Sequence, residues 1–473
     1  MSGGDEDHQN HMSDFEALMW NLEKNPALSN TFANVTLMDR APDRARFVEK
    51  MSVAVHKVPK LRQRPVQPLG KLSNPVWEFD PDFDLHHHLR WVNLGGEADE
   101  RQLYDYVALL SGQPFDRERP LWDFTIVEGL ANGRAAMLQR LHHTITDGEG
   151  GIRLSVAFLD LERAPDEPDR PTEAHRVGPK HSDDPPPDEP TTNGGVAEVV
   201  GNLADSLRQR GAQLVDALGS AGSFVLHPDD AAAVARSTGR QAQVLRRCSP
   251  LWTERSLQRW FGTTSLELAH TKELAHHLGG TVNDLFVTGA AAAAGAYHAE
   301  MGAEVAELRM SMPVSIRNTT ESSDPMAGGN AFAPTQLLVP TGAMEPPERF
   351  ELVHQCLDQT RSDPSIGIID GMAAVINLLP TAALLATGER VTAGVDFVCS
   401  NVRAAPFDLY MGGALLEANY PVGPLAGTAF NLTTMSYRGT LWLGLHVDTE
   451  AVQRPELLLE LLEAAYAELG AAQ

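Results

Sequence analysis

With 473 residues the chain exceeds what one hydrophobic core usually organises, so two domains of ordinary size are expected. Its 42% hydrophobic and 21% charged residues are too apolar a mixture for a wholly disordered chain. The formal charge of −25 argues against a nucleic-acid binder, which needs a basic face, and offers no general attraction to anionic membrane surfaces.

Residues 1–11 are acidic and polar, lack the basic-then-apolar pattern of a secretory signal, and read as a disordered tail. Ser13 and Glu16 have capping-box spacing and predict a helix with Phe15, Leu18, Met19 and Leu22 on one face. Residues 34–38 read as a short strand, and 43–58 as a helix carrying Phe47, Met51 and Val55. The triplet His86, His87 and His88 invites a metal reading. In a strand, however, only His86 and His88 share a face, and no cysteine or repeated carboxylate lies nearby, so no metal is expected. Residues 99–111 have helical spacing. Trp122, Phe124 and Ile126 alternate as in a half-buried strand, Asn132-Gly133 marks a hairpin turn, and 134–141 return from it. Residues 152–161 read as a helix closing a first lobe that spans 12–163.

From 164 to 195 prolines stand among aspartates and glutamates, the composition of a solvated linker. A connecting region, 196–247, has helical periodicity in Val199, Leu203, Leu207, Leu214 and Leu218. The second lobe, 248–473, opens with an amphipathic helix over 267–278. Thr281 caps an alanine-rich helix reaching 300, whose small residues at 289–295 imply close packing. Strands are expected at 308–316, 330–339 and 395–402, and a helix at 348–360. A hairpin over 430–447 turns at Arg438-Gly439, and Pro455 opens a last helix. Residues 372–386 are apolar but short for a membrane span, with Asn377 and Pro380 interrupting them, so a buried helix is expected. Cys248, Cys356 and Cys399 are spaced too widely for a metal pair or disulfide framework, which suits a reducing cytoplasm. The fold class is α/β, each lobe a mixed sheet with helices.

The chemistry concentrates in Leu141-His142-His143-Thr144-Ile145-Thr146-Asp147-Gly148. A zinc site needs three or four convergent ligands, and this segment supplies two. The absence of a GxSxG elbow removes the α/β-hydrolase explanation. Adjacent histidines in an extended segment diverge, so one can face a cavity while the other packs inward. Asp147 suits an orienting role, and Gly148 permits backbone geometry closed to other residues. A neutral histidine without a protein nucleophile suggests base catalysis on a substrate hydroxyl, amine or thiol.

This motif resembles the HHxxxDG signature of the chloramphenicol-acetyltransferase-like, CoA-dependent acyltransferases. Flanking elements are similar to those of its wax ester synthase/diacylglycerol acyltransferase branch. They are Pro120-Leu121-Trp122, Gly280-Thr281-Val282-Asn283-Asp284, Pro313-Val314-Ser315-Ile316-Arg317, Gly329-Asn330, Ser400-Asn401-Val402, Gly423-Pro424, Asn431-Leu432-Thr433 and Ser436-Tyr437, in family order.

The resemblance implies two chloramphenicol-acetyltransferase-like lobes with the active site at their interface. It implies transfer of a long-chain acyl group from acyl-CoA to diacylglycerol, giving triacylglycerol, or to a long-chain alcohol, giving wax ester. Acyl-CoA is then a co-substrate, with no bound cofactor, no metal and no nucleic-acid partner. The expected location is cytoplasmic, peripheral on the inner membrane or lipid droplets. His143 would be the general base, His142 its support, Asp147 the carboxylate that fixes the loop, and Gly148 the point where substrate approaches the backbone. Asn283, Asp284, Arg317, Ser400 and Asn401 would bind substrate or serve structure, capping being the favoured role of Asn283 and Asp284. Arg317 is expected to pair with Asp147 across the lobes. One departure bears on acceptor preference: Arg403-Ala404-Ala405 stands where the family has Pro-Gly-Pro. The alternatives are another lipid or glycolipid acceptor, a carrier-protein donor, or a non-catalytic lipid-binding homologue.

Overall fold

The computed structural model describes residues 11–68, 74–146, 148–164, 247–315, 332–361, 373 and 376–471. The segments expected as a tail (1–11), a linker (164–195) and a connecting region (196–247), together with Asp147, Arg317 and Gly329-Asn330, lie outside the described residues, apart from residues 11, 164 and 247.

The first half contributes α1 (Asp14–Leu22), β1 (Thr31–Met38), α2 (Arg44–Lys57), β2 (Gln63–Val66), β3 (Val76–Phe79), β4 (Leu89–Ala98), α3 (Glu100–Ser111), β5 (Trp122–Leu130), β6 (Ala135–His142) and α4 (Gly148–Ser155). From the second half come β7 (Arg259–Glu267), α5 (Leu268–His277), α6 (Val282–Glu300), β8 (Glu307–Ser315), β9 (Phe332–Pro340), α7 (Pro346–Arg361) and α8 (Thr381–Ala393). The chain then completes β10 (Phe397–Arg403), β11 (Tyr410–Met411), β12 (Ala414–Val422), β13 (Phe430–Tyr437), β14 (Thr440–Asp448) and α9 (Pro455–Ala471). Local signals set many of these bounds. Capping boxes form between Ser13 and Glu16 as expected, and also between Asp99 and Gln102 and between Thr281 and Asp284.

Two six-stranded mixed sheets result, in the orders β11-β12-β1-β6-β5-β4 and β7-β14-β13-β10-β8-β9. The first includes β11 and β12, which the sequence division at 248 places with the second lobe. β1 has a free edge in the first lobe alone, and antiparallel pairing with β12 from Ala33↔Val422 to Met38↔Leu416 satisfies its backbone groups. Chain continuity therefore does not delimit the lobes.

The same exchange builds the seam between them. β12 crosses β13 and β14, and α3 lies on β7. Gly444 makes the crossing possible: a Cβ there would stand 1.9 Å from the Pro421 carbonyl oxygen. Tyr104 of α3 meets Phe261 of β7 edge-on, with ring centroids 5.6 Å apart.

Three expectations are corrected. Residues 85–88 form a helical turn rather than strand, because Asp84 Oδ1 accepts the His86 amide at 2.9 Å and caps it. His88 is a core residue stacked on Trp122, its Nδ1 2.7 Å from the Trp122 carbonyl; burial lowers its pKa to about 4. The helix expected at 152–161 begins at Gly148 and ends at Ser155, directly after the histidine motif. Residues 381–393 form α8 on the surface, with Leu384 its one buried residue, so the apolar stretch is not a buried helix.

Candidate active site

β6 delivers the histidine motif. Its backbone pairs with β1 on one side, Thr31↔His142, and with β5 on the other. The Pro120-Leu121-Trp122 element has a structural task here. The Leu121 carbonyl accepts the His142 amide at 3.0 Å, and the buried Trp122 donates its indole N–H to the Leu61 carbonyl at 2.8 Å.

The two histidines diverge as an extended chain requires. His142 is fully buried and sits against the Glu23 carboxylate through Nε2. The Thr144 amide donates to its Nδ1 at 3.1 Å. That nitrogen therefore carries a lone pair, which puts the ring proton on Nε2, facing Glu23. Burial pushes the Glu23 carboxyl up, but the neighbouring His142, the Ser29 hydroxyl and Arg117 outweigh it and hold it at about 2. Ser29 Oγ donates to Glu23 at 2.6 Å, and Arg117 lies over the Trp20 ring, 3.3 Å from its centroid. Lys60 ties the turn further, with Nζ 3.4 Å from both the Thr144 carbonyl and Glu16.

His143 lies on the other side. Its amide donates to the Asn30 carbonyl at 3.2 Å, and its ring stands 4.6 Å from that of Phe32 in β1. Phe32 also meets α4, at 3.6 Å from a Cβ built on Gly151. Gly148, at the first position of α4, follows His143 by one short turn, and α4 packs against β10 of the second sheet. This contact joins the motif to the other lobe.

β10 divides its own candidates. Phe397 and Cys399 enter the second core, so Asn401 shares their face while Ser400 turns toward the first lobe with Thr433. Among the described residues β10 pairs with β8 at Phe397 and Val398, while its pairing with β13 runs on to Arg403. Arg403 is exposed, and the Ala404 amide is held by the Ser436 carbonyl at 3.0 Å. Asn431 fixes the Gly423-Pro424 turn by donating to the Pro424 carbonyl at 2.8 Å.

Asn283 and Asp284 serve the second lobe. Asp284 is fully buried, accepts from the Thr281 amide at 2.7 Å, and lies 2.9 Å from His354 Nδ1. Asn283 Nδ2 approaches Met312 Sδ at 3.5 Å. Among the described residues no group of three or more His, Cys, Asp or Glu gathers as a metal site.

Sequence reasoning missed Glu23. A signal was present: Glu23 is the C-cap of α1, where the helix dipole disfavours an anion, and such a carboxylate needs a partner elsewhere.

Comparison with known proteins is consistent with this geometry. The wax ester synthase/diacylglycerol acyltransferase catalytic domain matches residues 12–286, and the C-terminal domain of the same family matches 328–470. A Mycobacterium tuberculosis protein carrying the name diacylglycerol O-acyltransferase is 33% identical over 461 residues, covering 96% of this chain and 90% of its own. Another from that organism, similarly named, is 27% identical over 483 residues, covering 97% and 96%. Among solved structures, a wax ester synthase/diacylglycerol acyltransferase from Marinobacter aquaeolei VT8 shares the fold with a TM-score of 0.62 at 22% identity, covering 97% of this chain and 98% of that one. The first condensation domain of the calcium-dependent antibiotic synthetase shares it with a TM-score of 0.60 at 14% identity, covering 98% and 95%.

Proposed function

The chain belongs to the wax ester synthase/diacylglycerol acyltransferase family, and from that premise we propose that His143 is the general base of its acyl-CoA-dependent O-acyl transfer to diacylglycerol or a long-chain alcohol. The observation that carries this assignment is the divergence of the two histidines. His142 is engaged by Glu23 and Thr144, while His143 lies on the side where α4 meets the second sheet.

The acceptor hydroxyl approaches the thioester carbonyl carbon, and the His143 imidazole takes its proton as the C–O bond forms. The tetrahedral oxyanion then collapses, the C–S bond breaks, and CoA leaves as the thiol with the proton returned by the imidazolium. Asp147 fixes the turn. Gly148 leaves room for the first amides of α4, which lack intrahelical partners, to face the oxyanion. Ser400 and the exposed Asn401 stand on opposite faces of β10, Ser400 lining the site, while Asn283 and Asp284 serve the second lobe.

The acceptors are apolar and dissolve in membranes. Leu378, Leu379 and Val391 are 44%, 37% and 39% exposed beside the surface alanines of α8. This patch is the proposed site of peripheral attachment to the inner membrane or lipid droplets. No helix of the described residues is long and apolar enough to cross a membrane.

Radiolabelled palmitoyl-CoA with diacylglycerol or hexadecanol tests the assignment. Wild type is expected to form ester, and His143→Ala to lose it by about 100-fold or more. Equal product from both proteins rejects His143 as the base.

A further inference from the structure

Four polar side chains stand on the face of the first sheet that carries Phe32. Along β1, Ala33, Val35 and Leu37 enter an apolar layer with α3, so Phe32, Asn34 and Thr36 face the opposite way. Asn34 is in register with Gln139 of β6, and Thr36 with Asn419 of β12. Because β1 is paired on both edges, a partly exposed Asn34 in its middle requires open space over this face. The second lobe contributes the opposite wall: Asn419 Nδ2 lies 3.2 Å from Met435 Sδ on β13.

These side chains satisfy one another only in part. Asn34 Nδ2 donates to Thr36 Oγ1 at 3.0 Å and to Asn419 Oδ1, and Thr36 Oγ1 donates to Asn419 Oδ1 at 2.8 Å. Among the described residues Asn34 Oδ1 has no hydrogen-bond partner, and Asn419 Nδ2 donates to the Met435 thioether. One acceptor is left over and one donor has only a weak thioether acceptor, where an apolar wall would cost less. A ligand with its own oxygens removes that cost.

Position decides which ligand. Asn34 follows Phe32 by two residues, about 7 Å along a strand, and the Phe32 ring stands 4.6 Å from the His143 ring. With the reacting hydroxyl at His143, the ester carbonyls of a glyceride are a few bonds away and within reach of the cluster. A long-chain primary alcohol presents only methylenes there. The same-face positions of β1, β6 and β12 include no lysine or arginine, and Glu417 lies two residues before Asn419, so the wall suits a neutral acceptor rather than the phosphates of CoA.

We infer that Asn34, Thr36 and Asn419 form a polar subsite that reads the oxygens of a glyceride, so that this chain selects diacylglycerol over long-chain alcohols. The inference rests on the acyltransferase reading above. Its test is kcat/KM for dioleoylglycerol and for hexadecanol, with palmitoyl-CoA as donor, in wild type, Asn34→Leu, Asn34→Leu/Asn419→Leu and Thr36→Val. Wild type is expected to favour the glyceride. The glyceride-to-alcohol ratio is expected to fall about tenfold in Asn34→Leu and further in the double variant. The isosteric Thr36→Val carries the test should the asparagine variants fail to fold, with the same direction expected. An unchanged ratio in folded variants overturns the subsite, as does a wild type that prefers hexadecanol. So does an equal loss with both acceptors alongside a raised KM for palmitoyl-CoA, which places pantetheine on the cluster. No CoA release with any acceptor removes the acyltransferase reading and the subsite with it.

Discussion

Glu23 is the side chain on which the histidine motif rests. Its carboxylate accepts from His142 Nε2–H because the Thr144 amide occupies the other ring nitrogen, and against the upward push of burial His142, then Ser29 and Arg117, keep it ionised. Glu23→Gln removes the charge but keeps the shape. A loosened His142 then shifts the next residue, and kcat is expected to fall roughly 10- to 100-fold with little change in KM. Steady-state kinetics against palmitoyl-CoA checks this, and a variant with wild-type kcat would show that Glu23 merely fills space. HHTITDG was legible in the sequence because its members are contiguous. Glu23 was not, since only the fold places a helix C-cap against a strand 119 positions further along the chain.

Elements were legible where short-range chemistry decides them. The capping boxes at Ser13 and Thr281 and the turns at Asn132-Gly133 and Arg438-Gly439 lie where their residue types require, with Asn132 and Arg438 in the left-handed region at φ 60° and 50°. β7 and β12 were missed because their stability comes from distant partners, β14 and β1, rather than from their own patterning. α8 was misjudged for a related reason: apolar composition does not say what covers it. Its exposed patch carries a prediction. Leu378→Glu/Leu379→Glu is expected to reduce co-flotation with phosphatidylcholine vesicles containing diacylglycerol several-fold, while activity on a soluble short-chain acceptor persists. Undiminished flotation would assign membrane contact to another surface.

For the whole molecule, the two-lobe division was visible, but not the strand exchange that makes each lobe depend on the other. β12 passes from the first sheet across the face of the second, and Gly444 admits it. Thus the proposed acceptor wall at Asn419, the proposed base at His143 and the α4–β10 contact all lie along one seam. The central claim is that a neutral imidazole at this seam takes the acceptor proton. A base works deprotonated, so activity must rise with pH through its ionisation and fall away on the acid side. The direct measurement is kcat/KM against pH for wild type and for the residual activity of His143→Gln. The wild type is expected to show an acid limb governed by a single ionisation, and His143→Gln to lose that limb along with at least 100-fold in rate. An acid limb that persists unchanged in His143→Gln would contradict the account.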